Sequence, residues 1–369
     1  MQKEKNGCDI FCDVIDNFGD AGVCWRLARD IQKQRGWKVR LFINNLETLS
    51  AIEPKVEIGK TRQTVGEIEI LKWGCAELEF PSEIVIETFG CRIPDAFEKR
   101  IAERKTSPIW INLEYLSAED WVEGCHMLPS PHPQYGTKKY FFFPGVTSKT
   151  GGLIREAYLT KEREEFEKNK HSFLSQIGAS ANSPYNLFVF CYPSAPLNLL
   201  VEALAADPRP TQLLLAAGNA GKEIHEMVRP YPHLSSVHLP MLPQTSFDKL
   251  LWSADSLLIR GEDSFARAQL AGKPFIWNIY PQTEETHILK LKAFVNRLAP
   301  FYSVDNLALV NDINLAFNKG DPQFVPLWRE WRNKLPELSA SAKAWEENLH
   351  SLGSLTENLC KFIESKLQS

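Results

Sequence analysis

At 369 residues the chain exceeds one ordinary domain and suits two of about 150–200 residues each. Its 44% hydrophobic and 24% charged content excludes extended disorder, and a formal net charge of -4 argues against a bulk nucleic-acid binder. No run is long enough to span a bilayer, and the first residues lead into a strand rather than a signal-peptide core; neither nucleic acid nor membrane is an expected partner, and the expected location is cytoplasmic.

The first informative stretch is Asp9-Ile-Phe-Cys-Asp-Val-Ile-Asp-Asn-Phe-Gly-Asp. Residues 10–15 read as a buried parallel strand, and Val23, Leu27 and Ile31 recur on one helix face. Between them lies a turn in which Gly19 is permissive and two carboxylates, Asp16 and Asp20, stand at a strand's carboxyl end, where open α/β sheets place ligands. Asp20 has two readings here, a helix cap or a catalytic acid.

Further strands are expected at Lys38–Ile43, Glu83–Thr88 and Pro108–Tyr115, the last bringing Glu114 and Tyr115 to the same rim. Residues 126–137 read as a Pro-rich loop, followed by an aromatic strand at 139–143. The charge run from Lys161 is a solvated helix face near a domain boundary. A second alternating series opens at Asn186-Leu-Phe-Val-Phe-Cys-Tyr and includes short strands at Gln212, Ser236 and Ser256. The expected architecture is α/β, with two Rossmann-like domains facing a central cleft. They cover residues 1–165 and 166–345, with 346–369 a helix returning to the first.

In the second half, Ile259-Arg-Gly-Glu-Asp-Ser-Phe-Ala-Arg-Ala-Gln repeats the strand, glycine turn and helix pattern. Backbone N–H groups from Glu262 to Ser264 at a helix start favour a diphosphate, Arg260 adds positive charge, and capping by Asp263 or Ser264 is the alternative. Tyr192 and Phe247 are candidate stacking partners for a base, with a core role equally open for Phe247. Neither half contains a GxGxxG or P-loop signature. The eight cysteines include no CxxC pair, which favours reduced thiols, and no metal site or cofactor is expected.

These two motifs together closely resemble the EarP family, protein-arginine rhamnosyltransferases that modify translation elongation factor P, and the likeness spans essentially the whole chain. The resemblance implies a GT-B enzyme that inverts the anomeric centre, uses dTDP-β-L-rhamnose without a metal, and takes elongation factor P as protein acceptor. It implies that Asp16 and Asp20 are the paired acids, with Asp20 the general base. Donor contacts would fall to Asn17, Phe18, Tyr192, Gln244, Arg260, Gly261, Glu262, Asp263, Ser264 and Tyr280. Glu262 could hydrogen-bond the sugar or hold Arg260, so it joins the catalytic candidates. Asp16, Asp20, Glu114 and Tyr115 are the acceptor-binding candidates. A GT-B transferase with a small-molecule acceptor and a non-catalytic, nucleotide-sugar-gated binding protein are the alternatives.

Overall fold

The computed structural model describes residues 6–15, 17–282 and 285–368. It divides into two compact units, Met1–Glu156 with His350–Ser369, and Ala157–Leu349.

The first unit contains, in chain order, β1 (Gly7–Cys12), α1 (Asn17–Arg35), β2 (Lys38–Ile43), α2 (Leu46–Ile52), β3 (Arg62–Val65), β4 (Ile68–Lys72), β5 (Ile84–Thr88), α3 (Asp95–Glu103), β6 (Ile109–Leu113), α4 (Trp121–Cys125), β7 (Pro129–Pro131) and β8 (Lys138–Phe142). The sheet order is β3-β4-β2-β1-β5-β6-β8-β7, parallel except for the antiparallel edge strands β3 and β7. Along β1 the side chains alternate between two cores. Cys8, Ile10 and Cys12 join Leu27 and Ile31 on one face, while Phe11 on the other stacks on Phe42 at 4.6 Å and meets Phe97 edge-on. Burial on both faces is why this strand reads as a continuous apolar run.

The second unit follows with α5 (Leu159–Gln176), β9 (Asn186–Val189), α6 (Leu197–Ala206), β10 (Thr211–Leu215), α7 (Asn219–Val228), β11 (Leu234–His238), α8 (Gln244–Ser253), β12 (Ser256–Arg260), α9 (Glu262–Leu270), β13 (Phe275–Asn278), α10 (Thr286–Arg297), α11 (Val304–Lys319), α12 (Phe324–Asn333) and α13 (Leu335–Ser351). Its five strands are all parallel, in the order β11-β10-β9-β12-β13. The chain ends in α14 (Leu355–Leu367), whose Leu355, Leu359, Cys360 and Ile363 lie in the first unit's core. In each sheet the strand order reverses once, between β1 and β5 and between β9 and β12. The carboxyl ends of those strands therefore flank a crevice.

Three local expectations need correction. The first strand stops at Cys12 rather than residue 15, because the Val14 N–H is taken by Asn44 Oδ1 (2.9 Å) and the Ile15 N–H by Asp20 Oδ2 (2.8 Å), leaving the ladder no donors. Residues 129–131 form an edge strand inside the expected loop. The unit boundaries fall at 156 and 349 rather than 165 and 345, so α5 lies whole in the second unit.

Below β8, the half-buried His126 accepts the Phe143 N–H through Nδ1 at 3.0 Å, its ring 4.5 Å from that of Phe142. Burial pushes its pKa from 6.5 down to about 4. Above 6.5 the imidazole is neutral in folded and unfolded chains alike; between 6.5 and about 4 only the unfolded chain takes up the proton, so this group withdraws stability as the pH falls through that window. Replacing His126 by Gln, which keeps an acceptor for Phe143, should shrink the drop in melting temperature between neutral pH and about pH 4, measured by circular dichroism.

Candidate functional site

In the first unit the site begins with Asp20. Since α1 starts at Asn17, Asp20 lies in the first helical turn, where the helix dipole favours a carboxylate. Its side chain is fully buried. One oxygen accepts the Ile15 N–H at 2.8 Å, while the other lies 3.3 Å from the Tyr115 hydroxyl. Asp16 lies outside the described residues, and of Asn17 only the backbone is described. Phe18 packs, partly buried, against the core of β1 and α1.

Tyr115 reaches Asp20 because it follows β6 on the face that Leu113 turns toward α1. Its ring stacks on Phe89, with centroids 4.3 Å apart and planes 11° from parallel. Phe89 directly follows β5 with φ 59°, a left-handed conformation that costs a non-glycine residue on the order of 1–3 kcal/mol. Behind it the Thr88 hydroxyl donates to the Phe11 carbonyl at 2.7 Å and lies 3.3 Å from the Cys24 thiol. Strand alternation turns Glu114 the other way, and Asn112 Nδ2 donates to its carboxylate at 2.7 Å. Burial raises the Glu114 pKa. Of the two acceptor candidates on this strand end, Tyr115 meets Asp20, and Glu114 meets Asn112.

The corresponding corner of the second unit is built on Arg260 and Gly261. Gly261, at φ 68° and ψ -172°, takes a conformation open essentially to glycine alone and turns the chain from β12 into α9. Glu262 and Asp263 occupy the first turn of α9 with Ser264 buried beside them. Arg260 lies over two aromatic faces, its Cζ 4.4 Å from the Phe190 centroid and 4.6 Å from that of Tyr192. Tyr192 meets the 60% exposed Tyr280 edge-on at 5.3 Å, and its N–H is bound by Asn278 Oδ1 at 2.9 Å. Gln244 Nε2 donates to Asp263 at 3.3 Å. Phe247 packs edge-on against Phe188 and Phe190.

Phe89, Phe190 and Asn278 are parts of these corners that the sequence reading passed over. Phe190 and Tyr192 carry a visible signal, alternate aromatic positions at a strand end, whereas nothing in the identity of Phe89 announces its backbone conformation. Among the described residues, no group of three or more His, Cys, Asp or Glu side chains is placed to hold a metal, and no helix is long and apolar enough to cross a membrane.

The family model described as elongation-factor P (EF-P) rhamnosyltransferase EarP matches residues 8–364. A protein-arginine rhamnosyltransferase of Pseudomonas putida is 37% identical, over 97% of this chain and 99% of its own. That of Pseudomonas aeruginosa is 35% identical, over 96% and 98%. A solved structure described as the structural basis for EarP-mediated arginine glycosylation of translation elongation factor EF-P matches with TM-score 0.67 and 26% identity, covering 98% of this chain and 99% of that one. Acinetobacter baumannii MurG, 13% identical with TM-score 0.50 over 98% and 100%, shares the fold, the two Rossmann-like sheets of a GT-B glycosyltransferase.

The last turn of α9 is tied to α8 by a buried ion pair in which Arg267 Nε and a second guanidinium nitrogen each meet Asp248 at 2.8 Å. Removing one partner, as in Asp248→Ala, should cost about 3–5 kcal/mol in urea unfolding. The double replacement Asp248→Leu with Arg267→Met should cost less than either single change, because it leaves no charge stranded.

Proposed function

Because the chain belongs to the EarP family of protein-arginine rhamnosyltransferases, we propose that it transfers rhamnose from dTDP-β-L-rhamnose to an arginine side chain of translation elongation factor P. The reaction inverts the anomeric centre and needs no metal. It takes place in the cytoplasm, where that acceptor works.

The acceptor sets the chemical difficulty. A guanidinium stays protonated below about pH 12 and its lone pairs are delocalised, so it is a poor nucleophile. A carboxylate helps by accepting a charge-assisted hydrogen bond, turning one nitrogen toward the anomeric carbon, and taking its proton as the bond forms. Asp20 fits this role, with one oxygen tied to the Ile15 backbone and the other turned toward Tyr115. Asp16 is proposed as the second carboxylate of the grip. In the balanced step, nitrogen attacks the anomeric carbon and the carbon–oxygen bond to the diphosphate breaks. dTDP leaves with the electron pair, and the nitrogen's proton passes to Asp20. One displacement inverts the centre and requires no protein nucleophile.

The leaving diphosphate gathers negative charge. Arg260 and the N–H groups that open α9 supply positive potential for it in place of a metal ion. Gly261 makes that approach sterically possible. Tyr192 and Phe247 are proposed to border the thymine, and Asn17, Phe18, Gln244, Asp263, Ser264 and Tyr280 to complete the donor contacts. Glu262 is assigned to a sugar hydroxyl or to Arg260, and Glu114 to the acceptor's surroundings.

One observation carries this reading: in a chain matched to the family over almost its whole length, Asp20 and Arg260 each stand where the strand order of a parallel sheet reverses. Incubation of the wild-type enzyme, elongation factor P and dTDP-rhamnose should raise the acceptor's intact mass by one deoxyhexose, with EDTA present or absent. Asp20→Asn should lower kcat by about 10²–10⁴ while calorimetry shows donor affinity retained. An acceptor of unchanged mass, or an Asp20→Asn enzyme as fast as wild type, would refute the proposal.

A further inference from the structure

Among the described residues, three non-glycine positions have positive φ: Phe89, Met127 and Glu285. Phe89 alone of them follows β5 directly, at the reversal of strand order in the first sheet. Gly90 next to it is also left-handed, at φ 67°. Glycine or asparagine would make this turn with less backbone cost, so the turn by itself does not account for an aromatic ring at 89. The half-buried ring packs against the core of β1 and α1 and stacks on Tyr115, near-parallel at 4.3 Å, while the Phe89 N–H is anchored to the Leu113 carbonyl at 2.7 Å. β5 and β6 thereby hold the two rings in register.

Tyr115 in turn addresses Asp20. Its hydroxyl stands 3.3 Å from Oδ1, longer than the 2.5–2.7 Å or so of a tight hydroxyl–carboxylate bond. A tyrosine ring that pivots about its Cα–Cβ bond carries its hydroxyl through several ångströms, so this contact persists only if something fixes the ring plane. Phe89 covers one ring face and blocks that swing.

We infer that Phe89 is a positioning residue for the transfer: its ring fixes Tyr115, and the Tyr115 hydroxyl aligns the Asp20 carboxylate with the acceptor nitrogen. The strained backbone at 89 is what brings the ring to that place. The inference rests on the reading of Asp20 as the base. It adds a residue that acts through a second side chain.

A double-mutant cycle on the full-length enzyme tests it, with elongation factor P and dTDP-rhamnose as substrates. Phe89→Leu and Tyr115→Phe should each lower kcat about tenfold, the scale of one hydrogen bond to a charged group, with the donor KM unchanged. Combined, they should fall no more than about twofold below the slower single variant, because a ring that holds a hydroxyl has nothing to act on once the hydroxyl is gone. Phe89→Tyr should restore near wild-type kcat. Phe89→Asn, which suits left-handed backbone and lacks the ring, should match Phe89→Leu and replaces it in the cycle if Leu disturbs folding. Independent losses that multiply in the double variant would overturn the inference, as would a wild-type rate in Phe89→Leu and Phe89→Asn, or failure of Phe89→Tyr to exceed Leu. A wild-type enzyme that leaves the acceptor mass unchanged is a different result: it removes the functional reading itself and this inference with it.

Discussion

A parallel sheet whose strand order reverses cannot close its own surface at the reversal, because the connections on the two sides lead away from each other. Both sheets of this protein meet that constraint once, and in both the chain fills the corner with charge: Asp20 beside β1 and β5, Arg260 beside β9 and β12. The two corners are solved differently. Asp20 is withdrawn into the protein and immobilised by the Ile15 N–H, whereas Arg260 is laid against the faces of Phe190 and Tyr192. For the base proposed at Asp20, a fixed direction favours proton transfer. For the diphosphate contact proposed at Arg260, the aromatic faces restrain the guanidinium plane, and one of its edge nitrogens lies 3.5 Å from the Cys191 carbonyl.

Local backbone choices at the two corners follow the same logic. At Gly261 the conformation is outside the reach of most side chains, and a residue without a Cβ removes the difficulty. At Phe89 the difficulty is retained in exchange for a ring in a particular plane. Strain of this kind survives where neighbours determine the position more strongly than the local backbone does, and the anchored N–H of Phe89 supplies one such determinant.

Much of this was legible from residue order because parallel strands buried on both faces are nearly unbroken apolar runs. Lys38–Ile43 and Ser256–Arg260 read without difficulty, and Gly261 with the acids after it marked the second corner, whereas Gly19, expected in the turn before the first helix, lies inside α1. The strand at β1 was overextended because Val14 and Ile15 are apolar, whereas hydrogen bonding, invisible in composition, ended the ladder three residues earlier. The β3–β4 hairpin was missed: a polar edge strand such as Arg62-Gln-Thr-Val lacks the apolar pattern that betrays a buried one. Within the site, Asp20 and Arg260 were readable as charges at strand ends. That Tyr115 and Glu114 part company followed only from which face each presents, and the place of Phe190 under Arg260 depended on packing across neighbouring strands.

The placement of α14 has a bearing on how the molecule comes into being. Leu355, Leu359, Cys360 and Ile363 share one core with Ile10, Leu27 and Ile31, which are synthesised before Ala157–Leu349. The first unit therefore waits, with an apolar flank unfilled, through the synthesis of Ala157–Leu349, which is drawn from one uninterrupted stretch. Order of birth and order of maturation are inverted: the part made first is finished last, and during that interval it is the part most in need of protection from aggregation.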